Sequence, residues 1–228
     1  MFDKQKRIEK NKESVKKLFI DACIEAIKKN GLDKISIRSI AESIEYNSAT
    51  LYNYFDNLDH LIAYAACSYL QNAIIKLKAL NVTESSLDYY IKVWEIMSKE
   101  GFFYSTFISI LFKAQYKNFS INPIKDYFKI YHDQINGLDH NLVCMITELH
   151  NWKTDNQLLK NCANDGYFNA DDTATINQMI THIFGAMVIN KNDLQDDDYE
   201  SYAKSFLKYL KIIIEKNLVS NHDAIFFH

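Results

Sequence analysis

Between Ser36 and Phe55 the chain carries two short apolar stripes at helical spacing, separated by too few residues for anything but a tight turn. Ile37, Ile40, Ala41 and Ile44 follow the i, i+3, i+4, i+7 pattern of a helix packed on one face, and Ser36 stands where an N-cap belongs. Asn47 caps a second helix that hides Leu51 and Phe55, four residues apart. The other face of that helix shows Ser48, Ala49, Thr50, Tyr52, Asn53 and Tyr54. It is small at its N-terminal end and rich in hydroxyls and amides. Such a face suits a helix whose first turn enters a major groove, because small side chains allow close approach and polar ones reach base edges and phosphates.

The rest of the chain is equally helical in pattern. One proline and five glycines argue against an all-β fold, which needs many turns. Gly31, Gly101, Pro123, Gly137 and Gly166 all fall between helix-like stretches. Val15, Leu18, Phe19, Ala22, Cys23, Ala26 and Ile27 make one stripe before Gly31, and Leu61 to Leu77 make a wide one over 59–80. Further helices are expected over 84–100, 102–118, 123–136, 139–162, about 172–187 and 199–217. The 102–118 segment is apolar nearly all round, which predicts a helix buried mid-bundle. No internal repeat and no sustained strand-like alternation is present.

The strings Ile37-Arg38-Ser39-Ile40-Ala41 and Thr50-Leu51-Tyr52-Asn53-Tyr54-Phe55 resemble the TetR/AcrR family of one-component transcriptional regulators. The resemblance covers about the first quarter of the chain closely. It implies an all-α fold: a three-helix head with a helix-turn-helix over 1–58, and a six-helix effector and dimerisation bundle over 59–228. It also implies a dimer that represses by binding a palindromic double-stranded operator and lets go when a small molecule binds the body. The helix after Phe55 then links head to body, and the last two helices pair with their copies in a second subunit. Gly185 is expected to let those helices approach closely.

Three positions depart from the family pattern. Glu45 stands where the turn usually has glycine, which requires either strain or a different turn. Ser48 stands where a basic residue often starts the recognition helix, and Leu58 where a basic phosphate contact usually lies. All three shift the head toward negative charge. They motivate an alternative, a family-like protein-interaction module that has lost operator binding.

Residue by residue, Arg38 matches the family's basic reader on the first helix of the motif. It either reaches guanine or phosphate, or pairs with Glu42 four residues on. Asn47 caps the recognition helix, Ser48 and Ala49 match its base-facing start, and Asn53 lies on the same polar face. Thr50, Tyr52 and Tyr54 match phosphate-contacting positions, though either tyrosine can instead pack in the head's small core. Lys16 and Lys17, read as the start of the first helix, match phosphate contacts. For the effector, the middle third is rich in rings, including Tyr116 and Phe119. Phe103, Phe107, Tyr127, Tyr131 and Trp152 are the candidate lining of a pocket for a flat, largely apolar molecule; the alternative is a solid aromatic core.

Charge fits DNA contact at one end. The net charge is −3, yet residues 1–17 hold seven Lys/Arg against three Asp/Glu. The basic arm either meets DNA or is simply a solvated terminus. Cys23, Cys67, Cys144 and Cys162 form no C-x-x-C pair and suit reduced thiols of a cytoplasmic protein. No apolar run approaches a membrane span. His132, His140 and His150 lack metal-ligand spacing, and no catalytic constellation or cofactor fingerprint stands out, so neither enzyme activity nor a cofactor is expected.

Overall fold

Asn, Ser and Asp side chains begin most of the helices, each accepting a hydrogen bond from a backbone N–H of the first turn. Ser36, Asn47, Asn57, Ser85, Asn122, Asp139, Asn156 and Asp198 all act this way. A computed structural model describes residues 2–81, 85–114, 117–148, 156–193 and 197–219, with side chains from Lys10 onward. The head comprises α1 (Phe2–Asn30), α2 (Ile37–Ser43) and α3 (Ser48–Leu51). Then follow α4 (Leu58–Cys67) and α5 (Gln71–Lys78), joined by a single 3₁₀ turn, so the 59–80 stripe forms one rod with a tightened middle.

The body continues with α6 (Ser86–Phe103), α7 (Ser105–Ala114), α8 (Pro123–Ile130), α9 (His132–Ile135), α10 (His140–Thr147) and α11 (Gln157–Asn164). It ends with α12 (Thr173–Asp193) and α13 (Tyr199–Asn217). Three expected helices are each divided, 102–118 among them. The 123–136 stretch breaks at Tyr131, whose ψ of 45° leaves the helical region. The 139–162 stretch becomes α10 and α11, with 149–155 outside the described residues. Among the described residues every regular element is helical, and no helix is long and apolar enough to cross a membrane.

As expected, the helical part of 102–118, α7, lies largely buried between α12 and α4, and α4 is buried at the centre as well. Its His60, Leu61, Ala63, Tyr64, Ala65, Ala66 and Cys67 are all buried, and it packs on α1, α7 and α8. Three alanines keep its surface low enough for neighbours on every side. The 102–118 stretch is split at Tyr104, and Phe103 ends α6 with about half its surface exposed.

Around α12 the packing is by ring and notch. Phe184 is fully buried, its centroid 5.4 Å from Trp94, 5.4 Å from Phe102 and 5.3 Å from Phe206. A methyl added at Gly101 would sit 2.4 Å from Phe184 Cζ. At Gly185 it would sit 2.9 Å from the Phe112 ring. Gly185 therefore faces the interior, and its missing side chain admits a ring of α7 within the same chain. The expected role in subunit pairing is corrected accordingly.

Candidate DNA-reading head and its seam with the body

The turn between α2 and α3 is built from three backbone bonds, the first from Ile44 N–H to Ala41 O at 3.2 Å. Tyr46 N–H donates to Ala41 O at 2.9 Å and Glu45 N–H to Glu42 O at 3.2 Å, the pattern of a Schellman ending. Such an ending needs a left-handed residue, and Glu45 supplies it with φ 59°. Of the two options open in the sequence, the chain takes the strained one. Glycine would hold that conformation without the Cβ clash, and a carboxylate beside the negative end of α2 adds repulsion. Glu45→Gly should therefore raise stability by about 1 kcal/mol; an unchanged or lower urea midpoint would count against strain at this turn.

Asn47 Oδ1 accepts from Ala49 N–H at 2.9 Å and so starts α3. Leu51 and Phe55 are buried under it, as their spacing requires. Ala49, Tyr52 and Asn53 are exposed, whereas Ser48 and Thr50 are half-buried. The two tyrosines part company. Tyr52 stands in solvent at 59% exposure, while Tyr54 lies half-buried with its ring 6.3 Å from Phe19. Tyr54 thus takes the core-packing alternative.

Arg38 Nε donates to Glu42 Oε1 at 2.7 Å, with both side chains mostly in solvent. An exposed i, i+4 pair of this kind holds weakly, so both roles weighed from the sequence are compatible: Glu42 parks a guanidinium that a nucleic acid can take.

Lys16 and Lys17 do not lie where the sequence put them. Because α1 starts at Phe2, they fall mid-helix, on the side facing the body. Lys16 is buried, donating to Tyr64 Oη at 2.8 Å and to Asp126 Oδ2 at 2.6 Å. Tyr64 Oη also donates to Asp126 Oδ2, at 2.8 Å. Burial pushes the Asp126 carboxyl up, but the Lys16 and Tyr64 bonds outweigh it and hold its pKa below the ordinary carboxylate value. Lys17 pairs with Asp21 at 3.1 Å and sits 4.6 Å above the Tyr131 ring. Asp21 in turn accepts from Tyr131 Oη at 2.6 Å. The expected phosphate contact at Lys16 is corrected, because the ammonium is buried in the seam; Lys17 stays about half in solvent in an exposed i, i+4 pair of the kind Arg38 makes.

Further links cross the same seam. Ser120 donates its N–H and its hydroxyl to the Asp56 carboxylate at 2.7 and 2.6 Å. Fully buried His60 bridges the two sides. Asp56 N–H donates to its Nδ1 at 3.2 Å, and Nε2 lies 3.0 Å from Ile121 O. Both bonds require the neutral ring with its hydrogen on Nε2, and burial lowers the His60 pKa in the direction that keeps it neutral. The sequence reading missed Tyr64, His60, Ser120 and Asp126 altogether. One signal was available: Lys16 sits three and four residues before buried Phe19 and Ile20, so it shares their face.

The expected effector rings are largely spoken for. Phe107 stacks on Tyr69 at 3.5 Å, and fully buried Tyr127 stacks on Tyr131 at 4.3 Å. Phe103 faces outward against Tyr199. Trp152 and Tyr116 lie outside the described residues, as does His150. A void of about 10 Å³ beside Tyr69, Gly101 and Phe184 has room for no more than a water. Phe107, Tyr127 and Tyr131 pack on ring partners as the solid-core alternative expects, whereas Phe103 is about half exposed. Burial of the Cys23, Cys67 and Cys162 thiols pushes their pKa values up, Cys23 to about 12, while Cys144 is exposed.

Residues 19–65 match the sequence profile described as bacterial regulatory proteins, tetR family. FadR from Thermus thermophilus, a TetR-family transcriptional repressor solved in complex with lauroyl-CoA, shares the fold. That structure aligns with 93% of this chain and 100% of its own, at TM-score 0.60 and 12% identity. The fatty acid degradation regulator FadR from Bacillus halodurans aligns over 86% of this chain and 93% of its own, at TM-score 0.49 and 17% identity. No curated protein sequence matches the chain.

Proposed function

From the match of residues 19–65 to the tetR-family profile and the fold shared with the Thermus repressor, we propose that the chain is a TetR-family regulator, a cytoplasmic, ligand-responsive repressor. In this reading it binds a palindromic operator as a dimer, with a head over 1–58 and an effector and dimerisation body over 59–228. The observation that carries the proposal is the exposed surface of α3 and the turn after it, where Ala49, Tyr52 and Asn53 stand in solvent, with Arg38 exposed on α2. Ser48 and Ala49 are small enough for the helix end to approach base edges, and Arg38 supplies the charge. Asn47, Thr50, Asn53 and Tyr52 fit backbone contacts that fix register.

Dimerisation draws on α12 and α13. Met179, Tyr209 and Ile212 are exposed on these helices, which pack on each other, and a second copy would cover them. Two heads about 34 Å apart then read two half-sites. The effector follows from the fold: a ligand that binds one head pose better than another shifts operator affinity, and the similar Thermus repressor was solved with lauroyl-CoA bound. No enzymatic step is assigned.

The test uses a duplex selected in vitro from a random pool, followed by fluorescence anisotropy. Affinity should fall steeply with salt, as phosphate contacts release counterions. Arg38→Ala should weaken the selected duplex about ten- to hundredfold and random duplex much less. The second reading, a protein-interaction module, is favoured by Glu45, whose carboxylate sits in the turn before α3. Failure to enrich any duplex at low salt would decide for it.

A further inference from the structure

The C-terminal half of α7 does not close against α4. Between them lies a cavity of about 200 Å³, walled by Ile62 and Ala63 of α4, Ile110 and Ala114 of α7, Phe119, and Leu32 from the head. An apolar cavity of about 150 Å³ holds one benzene, so this volume fits a single substituted ring. The rim is polar and charged: it carries Lys113, Lys117 and Asp59, with Asp193 beside Lys113. Lys113 donates to Asp193 at 2.9 Å and Lys117 to Asp59 at 2.5 Å, both half in solvent. An ammonium has three donors, so each lysine can share itself between its carboxylate and an incoming anion.

The position of the cavity gives it leverage. Leu32 belongs to the turn after α1, which moves with the head. Phe119 stacks on His60 at 4.4 Å and 6°, and His60 holds both Asp56 and Ile121. Any occupant therefore touches the head, the linking helix and the loop that ties them together. Among the described residues, Phe103, Phe107, Tyr127 and Tyr131 do not border this space.

We propose that the seam cavity binds a small single-ring aromatic carboxylate. Its ring lies between Leu32, Ile62 and Ile110, and its carboxylate lies at Lys113 and Lys117. Occupancy wedges the head against the body and lowers operator affinity. The control half rests on the reading of the chain as an operator-binding regulator; the binding half stands without it.

Isothermal titration of the full-length protein with 4-methylbenzoate and its neutral counterpart 4-methylbenzamide tests the site. The carboxylate should bind about tenfold more tightly than the amide. Lys113→Met, at an exposed ion pair whose loss is tolerated, should erase most of that difference. Ala114→Leu, which fills the cavity, should abolish binding of both with the circular-dichroism melt retained. Equal affinity for acid and amide, or a difference that survives Lys113→Met, would overturn the site. In anisotropy with the selected duplex, 4-methylbenzoate should weaken wild-type binding about tenfold and leave Ala114→Leu unaffected. Ligand binding that leaves duplex affinity unchanged overturns the control half. A protein that titrates 4-methylbenzoate but binds no duplex overturns the regulator reading and keeps the site.

Discussion

Asp126→Leu should destabilise the protein by about 3 kcal/mol, the lower end of what is lost when one partner of a buried ion pair is removed. The lower end applies because a fifth of the Asp126 side chain still meets solvent. The variant strands the Lys16 ammonium and leaves Tyr64 Oη without its acceptor. The double variant Lys16→Met, Asp126→Leu should recover much of the loss, since two apolar groups are then packed together and only the hydroxyl is left over. Urea unfolding of the four proteins forms a double-mutant cycle; additive losses would mean the pair is not coupled. The pH dependence has a definite sign. The folded pKa of Asp126 is depressed, so its contribution is complete above the unfolded value of about 3.9 and is lost as pH falls through the lower folded value. The midpoints of wild type and Asp126→Leu should converge below about pH 4; parallel curves would remove the carboxylate as the cause.

Phe184→Ala should cost about 4 kcal/mol, within the range for emptying a fully buried ring site. The ring has no route to collapse around, because Trp94, Phe102 and Phe206 brace one another at the same distances from it. The notch partner refines the expectation. Gly101→Ala alone overpacks, because the new methyl meets Phe184 at 2.4 Å. In a Phe184→Leu background the same methyl has room and adds helix propensity, so its effect should turn from unfavourable to favourable. An identical cost in both backgrounds would show that the ring and the notch are independent.

The head was the legible part of the chain because its determinants are local. Ser36, Asn47 and the spacing of Ile40, Ala41, Leu51 and Phe55 act within a dozen residues, and caps and stripes are written at that range. Glu45 was legible as a choice between strain and another turn, and coordinates were needed only to decide it. The stripe on α1 was read slightly out of phase. Leu18, counted as core, is 44% exposed, and Lys16 takes the buried place. Apolar periodicity cannot see that substitution, because the partner that makes a buried lysine tolerable lies 110 residues away. The same reason hid His60 and Ser120. Aromatic content in the middle third was visible, but whether rings enclose space or fill it depends on pairings such as Phe107 with Tyr69, which no single-helix pattern encodes.

The Lys16–Tyr64–Asp126 triad bears on how such a protein can be re-engineered. A head transplanted from another regulator at residue 58 would place a foreign side chain at position 16, opposite a carboxylate that expects an ammonium. The graft would keep its outward surface and lose its footing on the body. If the chain reads an operator as proposed, redirecting it is safer by rewriting Ala49 of α3 and Tyr52 and Asn53 of the turn after it, which are exposed. If a whole head is exchanged, lysine at position 16 must be written into the graft to match Tyr64 and Asp126, because these three residues are bonded as a unit although they sit on both sides of the cut.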